Sequence, residues 1–262
     1  MLAHFPDVIR PMLELLAPTS IVEIGSESGK TTRLLVELAS RHGAVVHAVD
    51  PAPRFDTAGW QREAGGHLLC HKLPSLVALA VLDRFDAVLV DGDHNYFTVL
   101  SELRLIELRS RELLQPLPLV FLHDVGWPYG RRDLYYDPEA IPAAERQPWA
   151  RQGISPTQSE LLSEGGYNAQ LCNALHEGGP RNGVLTALED YLAETKERWR
   201  VCQVPAVFGL AVLLPETRAQ SCPELARLHD AWAVPEVGRF IERLEMARLA
   251  MLVPAARSGP GG

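Results

Sequence analysis

Residues 21–31 read IVEIGSESGKT, a short, mostly apolar run followed by two glycines and a Lys-Thr pair. The stretch parses in two ways. A phosphate loop places four residues between its glycines before the Lys and its Ser or Thr. Here only Ser26, Glu27 and Ser28 separate Gly25 from Gly29, and Glu27 would turn negative charge toward a phosphate. The phosphate-loop reading fails, and Lys30 and Thr31 become the start of a helix. What remains is E-x-G-x-x-x-G, Glu23 to Gly29, with Ser26 inside the turn. It closes a strand and opens a helix, the place where open α/β sheets bind ligands. Glycine there lets the backbone approach an adenosyl ligand with no Cβ in between.

The surroundings repeat that unit. VVHAVD (45–50), HLLCHKL (67–73), FDAVLVD (85–91) and LVFLHD (119–124) read as further strands. Helical patterns lie between them at 30–41, in PSLVALAVLD and at 98–110. Nearly continuous apolar strands spaced by helices indicate a parallel sheet covered on both faces. The expected fold class is α/β, a doubly wound, mostly parallel sheet. Asp50, at the end of the second strand, is placed to accept both hydroxyls of a ribose.

Regularity stops after the fifth strand. Residues 126–183 are rich in Pro, Gly, Arg and aromatics, including Trp127, Tyr129, Tyr135, Tyr136 and Trp149. A loop of this length in a compact domain is usually functional, and linkers are short of aromatics. The expectation is an ordered lid that contacts substrate through Trp127, Tyr129, Arg131 and Arg132. A helix over 184–199, a hairpin of RVCQVP and VFGLAVLLP, and one or two helices over 223–252 follow. The expected organisation is one domain over 1–252 with a disordered tail, 253–262. The apolar C-terminal helices offer a face for a homodimer.

Composition narrows the function. A net charge of −8 on 262 residues opposes a nucleic-acid partner, which leaves a basic footprint. The N-terminal stretch MLAHFPDVIRPMLELLAP is neither a signal peptide nor a membrane span. The four cysteines are scattered without zinc spacing, as in a reduced, cytoplasmic protein. The partner left is a small-molecule substrate.

Strand four ends in Asp91-Gly92-Asp93-His94 and strand five in His123-Asp124. Both ends open on one crevice in a doubly wound sheet. Carboxylates and imidazoles gathered there suit Mg²⁺, or Mn²⁺ or another divalent metal once an imidazole joins. A histidine base is the other way to activate a hydroxyl, so Asp91, His94 and His123 are the catalytic candidates. Asp93 is a candidate helix N-cap. His4, His42, His176 and His229 carry no functional reading.

With LVDGDHNYFTVLSEL (89–103), VFLHDVGWPYG (120–130) and GGPRNGVLTALEDYL (178–192), the chain resembles class I S-adenosylmethionine (SAM)-dependent methyltransferases. It is similar to a bacterial branch related to macrocin-type O-methyltransferases and cephalosporin-hydroxylase-type proteins. The resemblance implies a seven-stranded Rossmann-like sheet whose last strand is antiparallel. It also implies SAM held by Glu23, Gly25, Ser26, Gly29, Asp50 and Asp91, and O-methylation of a small polar metabolite, sugar or natural product. In metal-dependent relatives of the catechol type, the corresponding metal positions are Asp91, His123 and Asp124, with histidine standing where an acidic residue is usual. A binding or scaffolding protein that keeps the fold without catalysis is the alternative.

Overall fold

The structure, a computed structural model, describes residues 1–252. The expected disordered tail, 253–262, lies outside them. After two short helical turns come α1 (Arg10–Leu16), β1 (Ser20–Ile24), α2 (Lys30–His42) and β2 (Val45–Val49). Next are α3 (Thr57–Glu63), β3 (Leu68–His71), α4 (Ser75–Val81), β4 (Ala87–Val90), α5 (Tyr96–Glu112) and β5 (Leu119–His123). The segment after β5 holds β6 (Leu134–Tyr135), β7 (Trp149–Arg151), β8 (Gly153–Ser155), β9 (Gln158–Leu162) and β10 (Cys172–Ala174). The chain continues with α6 (Val184–Glu194), β11 (Trp199–Val204), β12 (Leu210–Pro215), α7 (Glu216–Ser221), α8 (Pro223–Trp232) and α9 (Pro235–Leu252).

Seven strands form one sheet in the order β11-β12-β5-β4-β1-β2-β3. β1 to β5 pair in parallel, while β12 runs antiparallel to both β5 and β11. This is a Rossmann-like doubly wound sheet of seven strands, with the antiparallel hairpin expected from the sequence. The hairpin loop is longer than the spacing suggested: Val207, Phe208 and Gly209 all take positive φ, so β12 starts only at Leu210.

Alternation along the strands builds two cores. Ile21, Val46 and Leu89 face α1, α2 and α8, whereas Val22, Val88 and Val90 face α4, α5 and α6. Burial on both sides is why these strands read as unbroken apolar runs. The N-terminal turns belong to the first core through Met1, Phe5, Val8 and Ile9. No helix among the described residues is long and apolar enough to cross a membrane.

Residues 126–183 fold as two small sheets, β6-β10-β7 and β8-β9. Their anchor is Asp133, buried beneath them. Its Oδ1 accepts the amides of Tyr96 and Gly183, both at 2.7 Å, and its Oδ2 accepts the Tyr135 hydroxyl at 2.7 Å. One carboxylate thus joins the first residue of α5 to the residue that opens α6, where helix dipoles favour negative charge.

Candidate active site

The ends of β1, β2, β4 and β5 meet at one edge of the sheet. Gly25 donates to Val49 O and Asp91 to Ile24 O, each at 2.9 Å, so the β1 turn lies wedged between its neighbours. Gly25 has φ +89°, and a Cβ there would lie 2.2 Å from the Asp91 carbonyl oxygen. Only glycine fits. Gly29, at φ +75°, is the N-cap of α2 and packs beneath Trp60 and Phe55. Ser26 is buried inside the turn, its carbonyl taking the Gly29 amide at 2.7 Å.

Asp50 braces the same loop. Its two oxygens accept the amides of Glu27 at 2.8 Å and Ala52 at 2.7 Å. Each oxygen keeps a lone pair for a ribose hydroxyl, because a carboxylate offers about four acceptor positions. Glu23 is placed differently from the expectation. Its side chain points into the sheet–α2 core, the residue is 2% exposed, and it shares a 2.5 Å hydrogen bond with the Thr32 hydroxyl. Burial pushes its carboxyl up to about 8 against that bond, with the Asp91 charge adding to the rise. Glu23 supports the loop from below and does not reach the crevice.

Asp91, His123 and Asp124 converge as expected. Their ligating atoms all lie within 4.8 Å of one another. His123 Nδ1 stands 3.0 Å from Asp91 Oδ1 and 2.8 Å from Asp124 Oδ2. Asp124 holds φ +61°, a left-handed conformation that aspartate tolerates better than most residues. Such strain persists only where its surroundings enforce it. Burial alone would lower the His123 pKa, but Asp124 and Asp91 outweigh it and push it up to about 10. Both carboxylates are in turn held below their ordinary range, despite burial, by the imidazole between them.

His94 joins from the β4–α5 loop. Its Nδ1 is 2.9 Å from Asp124 Oδ2 but off the hydrogen-bond angle, which makes this a charge contact rather than a hydrogen bond. Its Nε2 lies 3.4 Å from the Tyr136 hydroxyl. Asp93 does not cap α5. Asn95 does, its side chain accepting the Thr98 amide at 2.9 Å.

Three of the four expected substrate contacts are used elsewhere. Arg132 is 0% exposed, and its guanidinium is bonded to the carbonyls of Ala174 and Ser159. Arg131 turns the other way and forms a two-pronged pair with Glu189 on α6, at 2.5 and 2.7 Å. Tyr129 is buried and bonded to Asn168 and Asn173. Trp127, partly open at the β5 exit, is the one of the four whose side chain makes no hydrogen bond to another protein group among the described residues.

His4 was missed by the sequence reading. Its buried ring sits edge-on to His123 at 5.4 Å, with Nε2 on the Ala206 carbonyl at 2.8 Å. Nothing local signals this, since the two residues lie far apart along the chain. Met1 comes with it, its amine 2.9 Å from Asp91 Oδ2. The N-terminal turn therefore covers the end of β4. Two cavities of about 350 and 420 Å³ lie elsewhere, one lined by Arg104, Arg111 and Tyr191, the other by Val201, Gln203 and Trp232. Neither gathers carboxylates and imidazoles as the strand-end crevice does.

Residues 22–125 match the family model described as a methyltransferase domain. No curated protein matches the chain. Among solved structures, it is similar to the Burkholderia thailandensis 1,6-didemethyltoxoflavin-N1-methyltransferase with bound 1,6-didemethyltoxoflavin and S-adenosylhomocysteine. That likeness has a TM-score of 0.43 and 18% identity, over 78% of this chain and 76% of that one. The S-adenosylhomocysteine-bound Podospora anserina methyltransferase PaMTH1 is similar at TM-score 0.44 and 16% identity, over 78% and 76%. A putative caffeoyl-CoA O-methyltransferase from Staphylococcus aureus is similar at TM-score 0.40 and 12% identity, over 79% and 80%. The matched stretch spans the glycine turn, Asp50 and the strand-end residues Asp91, His123 and Asp124.

Proposed function

We propose that this protein methylates a hydroxyl oxygen of a small molecule. The observation that carries the reading is the cluster of Asp91, His123 and Asp124 beside the glycine turn. A nitrogen acceptor has its lone pair ready, whereas a hydroxyl must lose its proton to become a good nucleophile. In the transfer, the acceptor oxygen bonds to the methyl carbon as the carbon–sulfur bond breaks. Sulfur keeps the electron pair and becomes a neutral thioether, and the hydroxyl proton leaves to a base.

His123 is poorly suited to be that base on its own, since two carboxylates keep it protonated near neutral pH. The same triad suits a divalent cation: two carboxylate oxygens and one imidazole nitrogen, with His123 Nδ1 at 3.0 and 2.8 Å from the oxygens. Those spacings fit ligand atoms about 2.0–2.2 Å from one ion. Asp91, His123 and Asp124 would hold it, and it would supply Lewis acidity that lowers the hydroxyl pKa. His94 is the candidate proton acceptor outside the triad: its Nε2 is turned toward Tyr136, and, against burial, Asp124 beside Nδ1 raises its pKa. Gly25, Ser26 and Gly29 shape the donor pocket, and Asp50 takes its ribose.

Calorimetry in two buffers of different ionisation enthalpy tests the reading. S-adenosylhomocysteine should bind with micromolar affinity, and Mn²⁺ should bind with release of about one proton, that of His123. His123→Asn should abolish the Mn²⁺ signal, while His94→Asn should keep it and lower turnover by about 10²-fold or more. Unchanged Mn²⁺ affinity in both Asp91→Asn and Asp124→Asn would sink the metal assignment. Full turnover in His94→Asn would remove that histidine from the mechanism.

A further inference from the structure

A second group of residues stands at the β5 exit, outside the triad. Trp127 follows Asp124 by three positions, and its ring lies 5.9 Å from that of Tyr167, tilted by 44°. Tyr167 in turn lies 6.0 Å from Phe208, tilted by 34°. The three rings come from three separate parts of the chain. They form one continuous aromatic shelf, and each is only partly buried.

The fold goes to some length to hold Phe208 there. Val207 and Phe208 both take positive φ, +46° and +70°, which is rare for a β-branched and a bulky residue. Four contacts enforce it. The Gly126 amide donates to the Phe208 carbonyl at 2.7 Å, and the Phe208 amide donates to Glu245 on α9 at 2.9 Å. Arg248, paired with Glu245, lies over the Phe208 ring at 5.0 Å. Gly126 and Gly209 meet backbone to backbone, and a Cβ on Gly209 would stand 2.5 Å from the Gly126 nitrogen. Strain of this kind, held by its surroundings, marks functional sites. Trp127 adds a polar observation: its Nε1 is buried and has no hydrogen-bond partner. Buried indole N–H groups usually find one.

We propose that the acceptor is a planar aromatic ring bearing the hydroxyl, stacked on the shelf of Trp127, Tyr167 and Phe208, with Trp127 Nε1 donating to a polar atom of that ring. The proposal rests on the O-methyltransferase reading above and narrows its substrate class. Stacked or tilted ring pairs suit a flat acceptor. A sugar would bring many hydroxyls to a shelf whose side chains offer two polar groups, the indole N–H and the Tyr167 hydroxyl, and its unpaired hydroxyls would weaken binding. The shelf adjoins the triad along the chain, Gly126 and Trp127 following Asp124 by two and three positions.

Saturation-transfer NMR on the full chain, with S-adenosylhomocysteine present, tests this. The probes are 7-hydroxycoumarin and methyl glucopyranoside. Expected are saturation of the coumarin ring protons and a Kd on the order of a millimolar, ordinary for a molecule of that size. Phe208→Leu keeps apolar volume but removes the ring, and Trp127→Phe keeps a ring but removes the N–H. Each should weaken coumarin at least about fivefold and leave S-adenosylhomocysteine affinity unchanged. Coumarin binding equal in wild type and both variants overturns the proposal, as does tighter binding of the glucopyranoside. Donor-product binding without coumarin binding overturns the shelf alone. Absence of S-adenosylhomocysteine binding in the wild type overturns the donor reading and the shelf with it.

Discussion

Replacing Glu23 by Gln tests whether this buried carboxyl is a support for the loop and a source of pH-dependent stability. In the folded chain its pKa is pushed up to about 8 by burial, against an ordinary value of 4.5. The folded state therefore holds a proton that the unfolded state releases between those values. Below pH 4.5 both states are protonated and the contribution is complete. As pH rises toward 8 only the unfolded chain ionises, so stability falls; above 8 it levels off. The span from 4.5 to 8, at 1.36 kcal/mol per pH unit, gives at most about 5 kcal/mol. Gln has the same shape, keeps an acceptor for Thr32 Oγ1 and cannot ionise. Urea titration followed by tryptophan fluorescence, at half-unit steps from pH 5 to 8.5, reads the effect. The Glu23→Gln protein should gain on the wild type as pH rises. With a slope of about 3 kcal/mol per molar urea, its midpoint at pH 8 should stand roughly 1 M or more higher. Taking the difference between the two proteins cancels other titrating groups, His123 among them. Parallel midpoint curves, or a variant weaker than wild type at pH 8, would refute the reasoning and place an ionised carboxylate in the fold.

Three further substitutions separate structural from functional roles. Gly25→Ala should destroy S-adenosylhomocysteine binding, because its Cβ would stand 2.2 Å from the Asp91 carbonyl oxygen. Gly65→Ala meets nothing within 4 Å and should cost only the left-handed strain, about 1 kcal/mol; equal effects in calorimetry would contradict the wedge. Arg132→Ala should lower stability by about 3 kcal/mol or more, since two buried carbonyls lose their donor. An unchanged melting temperature with a raised KM would restore Arg132 to substrate binding.

What was legible in the sequence is what lies close along the chain. The glycine turn, the acid ending β2 and the acids ending β4 and β5 are each local patterns, and the doubly wound topology carries them to one edge. Periodicity marked the strands because both faces of the sheet are covered. Contacts that span the chain left no such trace. Phe208 reaches the β5 exit by a backbone contact with Gly126, and His4 packs on His123 from a distant part of the chain. Arg131 and Arg132 look alike as letters. Their backbone sends one to Glu189 on the surface and the other into the core beneath the small sheets, a difference of direction that composition does not encode.

Asp133 has a bearing on how such a fold could diversify. Its carboxylate accepts the Gly183 amide, and Val184 and Leu185 donate to the Tyr129 and Gly130 carbonyls at 2.9 Å, so the stretch between them begins and ends at nearly the same point. A loop whose ends are already joined can change in length or content at little entropic cost to the rest of the chain. The stretch is in that sense a cartridge, and one from a relative could be spliced in between Asp133 and Gly183 while the donor pocket stays as it is. Trp127 and Phe208 would remain with the host and Tyr167 would travel with the graft, so acceptor choice would be inherited from both parents.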